Sequence, residues 1–139
     1  MIIAGAILVS AMFIVSDKKP IQAKVLLGGA EILVTVADTP STRARGLSGH
    51  DKLEPNDGML FVFPESKLHG FWMKDMQFPI DIIWFDANHR VVDVSERADP
   101  ESYPKVFNPR VPAQFVLEVP AGFFSDHHIK LGNILEIPR

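Results

Sequence analysis

The chain has 139 residues, which is enough for one domain but too few for two of ordinary size. Apolar residues make up 47% and charged residues 22%, both close to ordinary globular values. The net charge of −3 and the lack of a basic cluster predict no nucleic-acid partner, because binding phosphates requires clustered positive charge. The absence of cysteine excludes disulfides, thiolate nucleophiles and cysteine-ligated metal centres.

An uncharged apolar run occupies residues 1–16 and ends at Asp17. A helix of about 15 residues spans roughly 22 Å, which is short of the ~30 Å hydrocarbon core but close to the apolar region of a signal peptide. We therefore expect the run to export the domain or anchor it to a membrane, with the domain outside the cytoplasm. The alternative is a buried strand or helix of the core. Lys18 and Lys19 follow the run, and by the positive-inside rule they would place the chain after it in the cytoplasm. The orientation of the run in a membrane therefore stays open.

Residues 17–29 are interpreted as a linker, and residues 30–139 as the single globular domain. Thr39 and Pro40 form a helix start signal and predict a short helix over 40–46. A second short helix or turn is predicted over 121–128, and the four prolines of residues 98–112 predict a long irregular loop. Short β-type runs separated by turn residues fill the remainder. They lie at residues 30–37, 59–63, 70–73, 80–85, 90–94, 114–119 and 134–137.

This order of elements predicts an α+β, mostly β fold. We expect a compact, antiparallel, barrel-like sheet with one or two short helices.

Several short segments, in a fixed order, carry a more specific signal. They are Gly46-Leu47, Gly58-Met59-Leu60-Phe61, Phe71-Trp72-Met73-Lys74, Pro79-Ile80-Asp81-Ile82-Ile83, Val116-Leu117-Glu118-Val119 and Ala121-Gly122.

In this order and at these spacings the segments resemble the domain of unknown function 192 family, over roughly residues 32–137. The resemblance implies a small β-rich, barrel-like fold, often preceded by a signal or anchor segment, and implies no particular activity. Two features depart from the family pattern. Asp75-Met76 stands where the family more often has Asn-Thr, and residues 98–112 lack a cysteine that many members carry.

The candidate site begins with Asp81, which interrupts an otherwise apolar strand over residues 80–85. Such a strand is expected to be central and covered on both sides, so the carboxylate must find a cation or hydrogen-bond donors. Lys74 is the nearest cation along the chain, and strand alternation places it on one face with Trp72. These residues could form a polar floor beneath an aromatic wall, or a purely structural network around the carboxylate. Replacing Asp81 with Ala is expected to destabilise the fold by roughly 1–3 kcal/mol.

Glu118 lies in a second apolar strand and offers two interpretations. It accepts hydrogen bonds from a neighbouring loop, or it joins Asp81 as a second carboxylate, as acid–base chemistry would require. We predict that Trp72, Lys74, Asp81 and Glu118 together line one ligand-binding site. The competing interpretation assigns the four residues to separate structural contacts.

Neither a metal site nor a cofactor is predicted. The five histidines lack the spacing of a metal-binding motif, and Ser41, Ser48 and Ser125 lack the setting of a serine nucleophile. The histidines are His50, His69, His89, His127 and His128.

Three classes of function remain open at this point. The first is a non-enzymatic binding module, exported or tethered to a membrane, for a small polar ligand or a protein partner. The second is an enzyme that uses Asp81 and Glu118 on a glycan or similar polar substrate. The third is an accessory domain that pairs with another protein through a sheet edge. A cleft containing both carboxylates would favour the first two classes.

Overall fold

The computed structural model describes residues 19–138, so the predicted export or anchor segment over residues 1–16 lies outside the described residues. Between residues 19 and 138, no helix is both long enough and apolar enough to cross a membrane. The same part of the chain forms strands, two α-helices and one 3-10 turn. The strands are β1 (Gln22–Leu27), β2 (Ala30–Ala37), β3 (Asp57–Lys67), β4 (Phe71–Trp72), β5 (Ile80–Phe85), β6 (Val91–Ala98), β7 (Val106–Phe107) and β8 (Ala113–Pro120). The helices are α1 (Pro40–Arg45) and α2 (Phe123–Asp126), and the 3-10 turn spans Pro100–Ser102.

Six strands form one sheet in the order β1-β2-β3-β8-β5-β6, and β4 pairs with β7 in a separate two-stranded sheet. The α+β, mostly β class is therefore confirmed. The sheet is mixed and open, however, rather than antiparallel and closed into a barrel. Strands β2 and β3 are parallel because α1 and the loop after it return the chain before β3 begins, as a parallel pair requires.

The interpretation of residues 17–29 as a linker is wrong for Gln22–Leu27, because these residues form β1. Val25 and Leu27 are fully buried, whereas Gln22 and Lys24 earlier in the strand are exposed. Gly28 and Gly29 both have positive φ, at 57° and 77°, and make the tight turn of a hairpin with β2. Alternation in this short strand is the signal that the linker interpretation overlooked.

The strand predicted over residues 134–137 forms only single bridges. Ile134 bridges Arg90, next to β6, and Glu136 bridges Leu26 in β1. The segment therefore changes partner after two residues and contacts the regions of both edge strands. It does not pair continuously with either of them, which leaves the main sheet open.

Local signals predicted α1 and two strands accurately. Strands β2 and β5 have the predicted bounds, and α1 begins at Pro40. The Thr39 side chain accepts a hydrogen bond from the Thr42 backbone N–H, and the Thr42 hydroxyl in turn accepts one from the Thr39 N–H. This reciprocal cap satisfies N–H groups that a helix start leaves without partners.

The hydrophobic core divides into one cluster on each face of the main sheet. Leu117 and Val119 belong to one cluster, and Val116 with Trp84 belongs to the other, as strand alternation requires. Every residue of β5 is buried, which confirms the prediction of a central strand covered on both sides. Since side chains of paired residues share a face, the register of β5 with β8 determines where each carboxylate points.

Candidate functional site

The Asp81 side chain lies on the face of the main sheet that α2 covers. It pairs with Val119 across the sheet and is completely buried. Its carboxylate accepts hydrogen bonds from the backbone N–H groups of Arg97 at 2.8 Å, Gly122 at 3.2 Å and Phe124 at 2.9 Å. The prediction that Asp81 is buried and bonded is confirmed.

The expected partner of Asp81 is wrong, because the donors are backbone N–H groups and not the ammonium of Lys74. These donors come from β6 and from the start of α2, so the carboxylate ties two elements to the central strand. A carboxylate satisfied by three N–H groups has little capacity left for a ligand.

Glu118 points to the opposite face. Its cross-strand neighbours are Met59 and Ile82, and its exposure is only 5%. In the described part of the chain no hydrogen-bond donor reaches its carboxyl group, so the expectation of donors from a neighbouring loop is not met. Burial raises the pKa of Glu118 from 4.5 to about 8, so this side chain is mostly protonated at neutral pH.

Glu118 borders a cavity of about 290 Å³, which we call the Glu118 cavity. The cavity lies between α1 with its following loop, β3, the segment around β4, and β8. Glu118 is buried on a central strand whereas Arg45 and Trp72 are exposed, so the carboxyl lies at the inner end and these two residues at the mouth. The lining residues are Arg43, Ala44, Arg45, Gly46, Leu47, Ser48, Phe61, Phe63, Gly70, Phe71, Trp72, Met76 and Glu118.

Aromatic rings form much of the wall. Phe71 packs edge-on against Phe61, with ring centroids 4.9 Å apart, and against the buried Trp84 at 6.3 Å. The Trp84 indole N–H donates to the carbonyl of His69 at 2.9 Å, and the His69 ring stacks on Phe63 at 3.6 Å. These contacts make the wall continuous with the core, so the cavity is preformed rather than a gap between mobile loops.

Two arginines from the end of α1 line the cavity. The Arg43 guanidinium donates to the carbonyl of Val62 at 3.0 Å and lies 5.3 Å from the centroid of the Phe63 ring. Arg45 is exposed, and within residues 19–138 neither arginine forms an ion pair. Gly46 ends the helix at a φ of 50°, with its backbone close to the Phe61 ring. A side chain at this position would be strained and would crowd that ring.

An ion pair between the buried Asp93 and the exposed Arg110 supports the loop that carries β7, the partner of β4. Asp93 accepts hydrogen bonds from Arg110 Nη2 at 2.8 Å and Nε at 3.2 Å, and from the Arg110 backbone N–H at 2.8 Å. Burial raises the pKa of Asp93, but these bonds and one from the Val94 N–H outweigh burial and hold the pKa below its ordinary value. Asp93 therefore belongs to the scaffold behind the cavity.

The structure brings together only part of the predicted site. Trp72 and Glu118 line the same cavity. Lys74 is not among the lining residues, although its ammonium lies 5.6 Å from the centroid of the Trp72 ring. Asp81 lies on the other face of the sheet, so the prediction of one site shared by all four residues is corrected. Strands β5 and β8 pair in a register that aligns Asp81 with Val119 and Ile82 with Glu118, so the two carboxylates point to opposite faces of the sheet.

Sequence reasoning missed the two arginines and most of the aromatic wall. Arg43 and Arg45 alternate just before Gly46-Leu47, one of the segments that carried the family resemblance, and this proximity was the available signal. Within the described residues, no group of three metal-ligating side chains could hold an ion.

Comparison with protein families places residues 23–137 within one family model, DUF192, described as an uncharacterized ACR. Archaeal relatives include UPF0127 proteins of Thermococcus kodakarensis, 29% identical over 107 residues, and of Pyrococcus horikoshii, 31% identical over 94 residues. The matched region covers 73% of this chain and 62% of the Thermococcus protein, and 64% of this chain and 73% of the Pyrococcus protein. The chain thus spans less than two thirds of the length of the Thermococcus relative.

Two solved structures share the fold. One is a Sinorhizobium meliloti protein described as a candidate transcription regulator, with a TM-score of 0.82 and 28% identity over 87% of this chain and 97% of that one. The other is a Novosphingobium aromaticivorans protein of unknown function, with a TM-score of 0.79 and 26% identity over 83% of this chain and 84% of that one. Both comparisons agree with the family match on the extent of the domain.

Proposed function

Since the chain belongs to the DUF192 family, which has no assigned activity, we propose its function from the site itself: it is a non-enzymatic module that binds a small molecule in the Glu118 cavity. One observation carries the proposal. The buried Glu118 carboxyl group, which has no hydrogen-bond partner among residues 19–138, lies at the inner end of a cavity whose mouth is exposed.

An unpartnered buried polar group destabilises a fold by about 1–3 kcal/mol, so natural proteins contain few of them. In residues 19–138, every fully enclosed side-chain nitrogen or oxygen has a partner. The Glu118 carboxyl therefore keeps its access to the cavity, where a ligand can supply the missing hydrogen bonds. A carboxyl group with a perturbed pKa in a cleft is a recognised indicator of a functional site.

The cavity matches the general chemistry of small-ligand sites. Its volume of about 290 Å³ is near the lower limit of roughly 300 Å³ for such pockets. Its lining combines aromatic and other apolar side chains with four polar ones, and small-ligand sites use the first for affinity and the second for orientation. The enzymatic alternative needed Asp81 and Glu118 as a pair, and the sheet lies between these two residues.

A fragment screen followed by NMR tests this proposal. Small soluble aromatic molecules are added to the isotope-labelled full chain, and backbone shifts are mapped for the lining residues. In Ala44→Trp, the exposed lining residue of α1 becomes an indole that fills the mouth, whereas Ser41→Trp adds the same ring outside the lining. Some fragments should shift the NMR signals of lining residues. We expect these fragments to bind Ala44→Trp at least roughly tenfold more weakly than the native chain, equivalent to about 1.4 kcal/mol, and to bind Ser41→Trp with unchanged affinity. Equal binding to both variants, or no fragment that shifts the lining, would contradict the proposal.

We also propose that residues 1–16 direct the module to or across a membrane, which would place the cavity near a membrane surface. The support is the length and uncharged composition of the run. Cells expressing the full chain and a version without residues 1–16 are fractionated. The full chain should be found in the membrane or exported fraction, whereas the shortened version should stay in the cytoplasm. Identical cytoplasmic distribution of the two would reject this part of the proposal.

A further inference from the structure

The Glu118 cavity has an uneven distribution of charge. Two of its lining residues, Arg43 and Arg45, are cations, and Glu118 is the single acidic lining residue in the described chain. Neither arginine has a carboxylate partner within residues 19–138, where each ion pair involves other residues. The ammonium of Lys74, beside Trp72, adds a third positive charge near the mouth.

The cations and the carboxyl group lie at different depths. Arg45 is exposed and Arg43 is partly buried against Phe63, whereas Glu118 is buried on the central strand β8. Burial raises the pKa of Glu118 to about 8, which favours the neutral form of its carboxyl group at neutral pH. A ligand in the cavity thus meets a neutral carboxyl group at the inner end and positive charge at the mouth.

The wall between these two ends is apolar and largely aromatic. Phe63, Phe71 and Trp72 line it together with the flexible side chain of Met76. Aromatic faces favour contact with planar apolar groups, and methionine adapts its shape to such groups. The wall therefore selects for an apolar or aromatic body between the two polar ends.

Building on the proposed function, we propose that the natural ligand is a small organic anion: an aromatic or apolar body with a carboxylate or phosphate group at one end. The anionic group binds at the mouth between Arg43 and Arg45, which can donate paired hydrogen bonds to either kind of oxyanion. The body packs against Phe71 and Trp72. A neutral oxygen or nitrogen at the far end exchanges hydrogen bonds with the Glu118 carboxyl, which can both donate and accept when protonated.

The Arg43 guanidinium keeps donors for the anion after its bond to the Val62 carbonyl, because a guanidinium has five N–H groups. Its position over the Phe63 ring holds it in place before a ligand arrives. Within residues 19–138 the exposed Arg45 guanidinium makes no such contact, so we expect its replacement to leave the fold intact and to isolate its contribution to binding.

Four matched probes of similar shape test the inference: benzoate, phenyl phosphate, neutral benzamide and cationic benzylamine. Each is titrated into the isotope-labelled full chain at low salt, and affinity is taken from shifts of the lining residues. At least one of the two anions should bind roughly tenfold or more tightly than benzamide, and benzylamine should bind most weakly, because one charge-assisted hydrogen bond supplies about that factor. The stronger of the two anions then identifies a carboxylate or a phosphate as the natural group.

Two variants locate the anion. Arg45→Gln should reduce anion affinity by roughly tenfold and leave benzamide unchanged, whereas Arg90→Gln removes a charge outside the lining and should change neither. If benzamide or benzylamine binds the cavity as tightly as the anions, or Arg45→Gln leaves anion affinity unchanged, the inference about the ligand is wrong and the binding function stands. If none of the four probes shifts a lining residue, both the inference and the proposed function are rejected.

Discussion

Asp81 and Glu118 are buried acidic residues on adjacent strands of one sheet, yet their surroundings differ in every respect that matters. Asp81 is enclosed on one face and accepts three backbone hydrogen bonds. Glu118 is on the other face, borders a cavity and has no donor within the described residues. Burial alone therefore does not distinguish the two carboxyl groups, whereas their hydrogen-bond partners do.

The two faces of the sheet explain the difference. On the Asp81 face, the start of α2 lies directly on the carboxylate and directs N–H groups at it. On the Glu118 face, α1 and β4 stand apart and leave the cavity of about 290 Å³. A closed face stabilises the fold, whereas an open face with an unsatisfied group is free to bind.

Removing the Asp81 carboxylate should have the largest effect on stability. Asp81→Ala leaves three buried N–H groups without an acceptor, and we expect a loss of about 3 kcal/mol, the upper end of the range for stranded polar groups. Urea denaturation at pH 7 measures the loss. The matched variant Glu118→Gln strands no donor, and at pH 7 it removes a carboxyl group that must take up a proton on folding, so it should not lower stability. Similar losses in the two variants would remove the distinction between the two faces.

The pH dependence of stability should reveal Glu118. Because its folded pKa of about 8 lies above the ordinary 4.5, its stabilising contribution is complete below about pH 4.5 and is lost as pH rises through about 8. Relative to Glu118→Gln, the native chain should lose stability steadily from pH 5 to about pH 8, and the difference should level off above that pH. Denaturation curves of both proteins across this window measure the difference. Parallel pH profiles would contradict a raised pKa.

The contribution of Asp93 to the pH dependence of stability should have the opposite sign. Its folded pKa is below the ordinary 3.8, so its contribution is complete above that value and is lost as pH falls through the lowered folded pKa. Relative to Asp93→Asn, the native chain should lose stability only in acid, below about pH 4. Acid-induced unfolding followed by circular dichroism measures this. A difference between the two proteins that persisted unchanged to pH 2 would show that Arg110 does not favour the ionised carboxylate.

Replacing Lys74 should have the smallest effect on stability. Its ammonium contacts the exposed Trp72 ring and lies outside the cavity lining, and exposed contacts of this type contribute about 0.5–1 kcal/mol. Lys74→Ala should therefore change stability by no more than this amount, measured by thermal unfolding. The loss of benzoate affinity in Lys74→Ala should be smaller than the loss in Arg45→Gln. A larger fall would place the ammonium among the groups that bind the ligand.

Local patterns in the sequence predicted most of the fold. Alternation and turn residues located β2 and β5, and the Thr39-Pro40 signal located the start of α1. The parallel pairing of β2 with β3 was not predictable, because it depends on where the chain returns after α1 rather than on any local pattern. Strand β1 was missed because its short alternating pattern is adjacent to a pair of glycines, which also suit a linker.

The site was predictable only in part, because it depends on register. Asp81 and Glu118 each stood out as an acid in an apolar strand, but only the pairing of Asp81 with Val119 and of Ile82 with Glu118 shows that they face opposite sides. A shift of one residue would have placed them together. The arginines of α1 approach the cavity through tertiary packing, which no spacing along the chain records.

A direct titration of the Glu118 carboxyl group tests the central distinction between the two faces. The side-chain carboxyl carbons of the isotope-labelled full chain are followed by NMR from pH 4 to pH 10, and Glu118→Gln assigns the signal. We expect the Glu118 signal to titrate with a pKa of about 8. A midpoint near the ordinary value of 4.5 would show that the carboxyl group is already solvated or bonded, and would contradict an unsatisfied group at the inner end of the cavity.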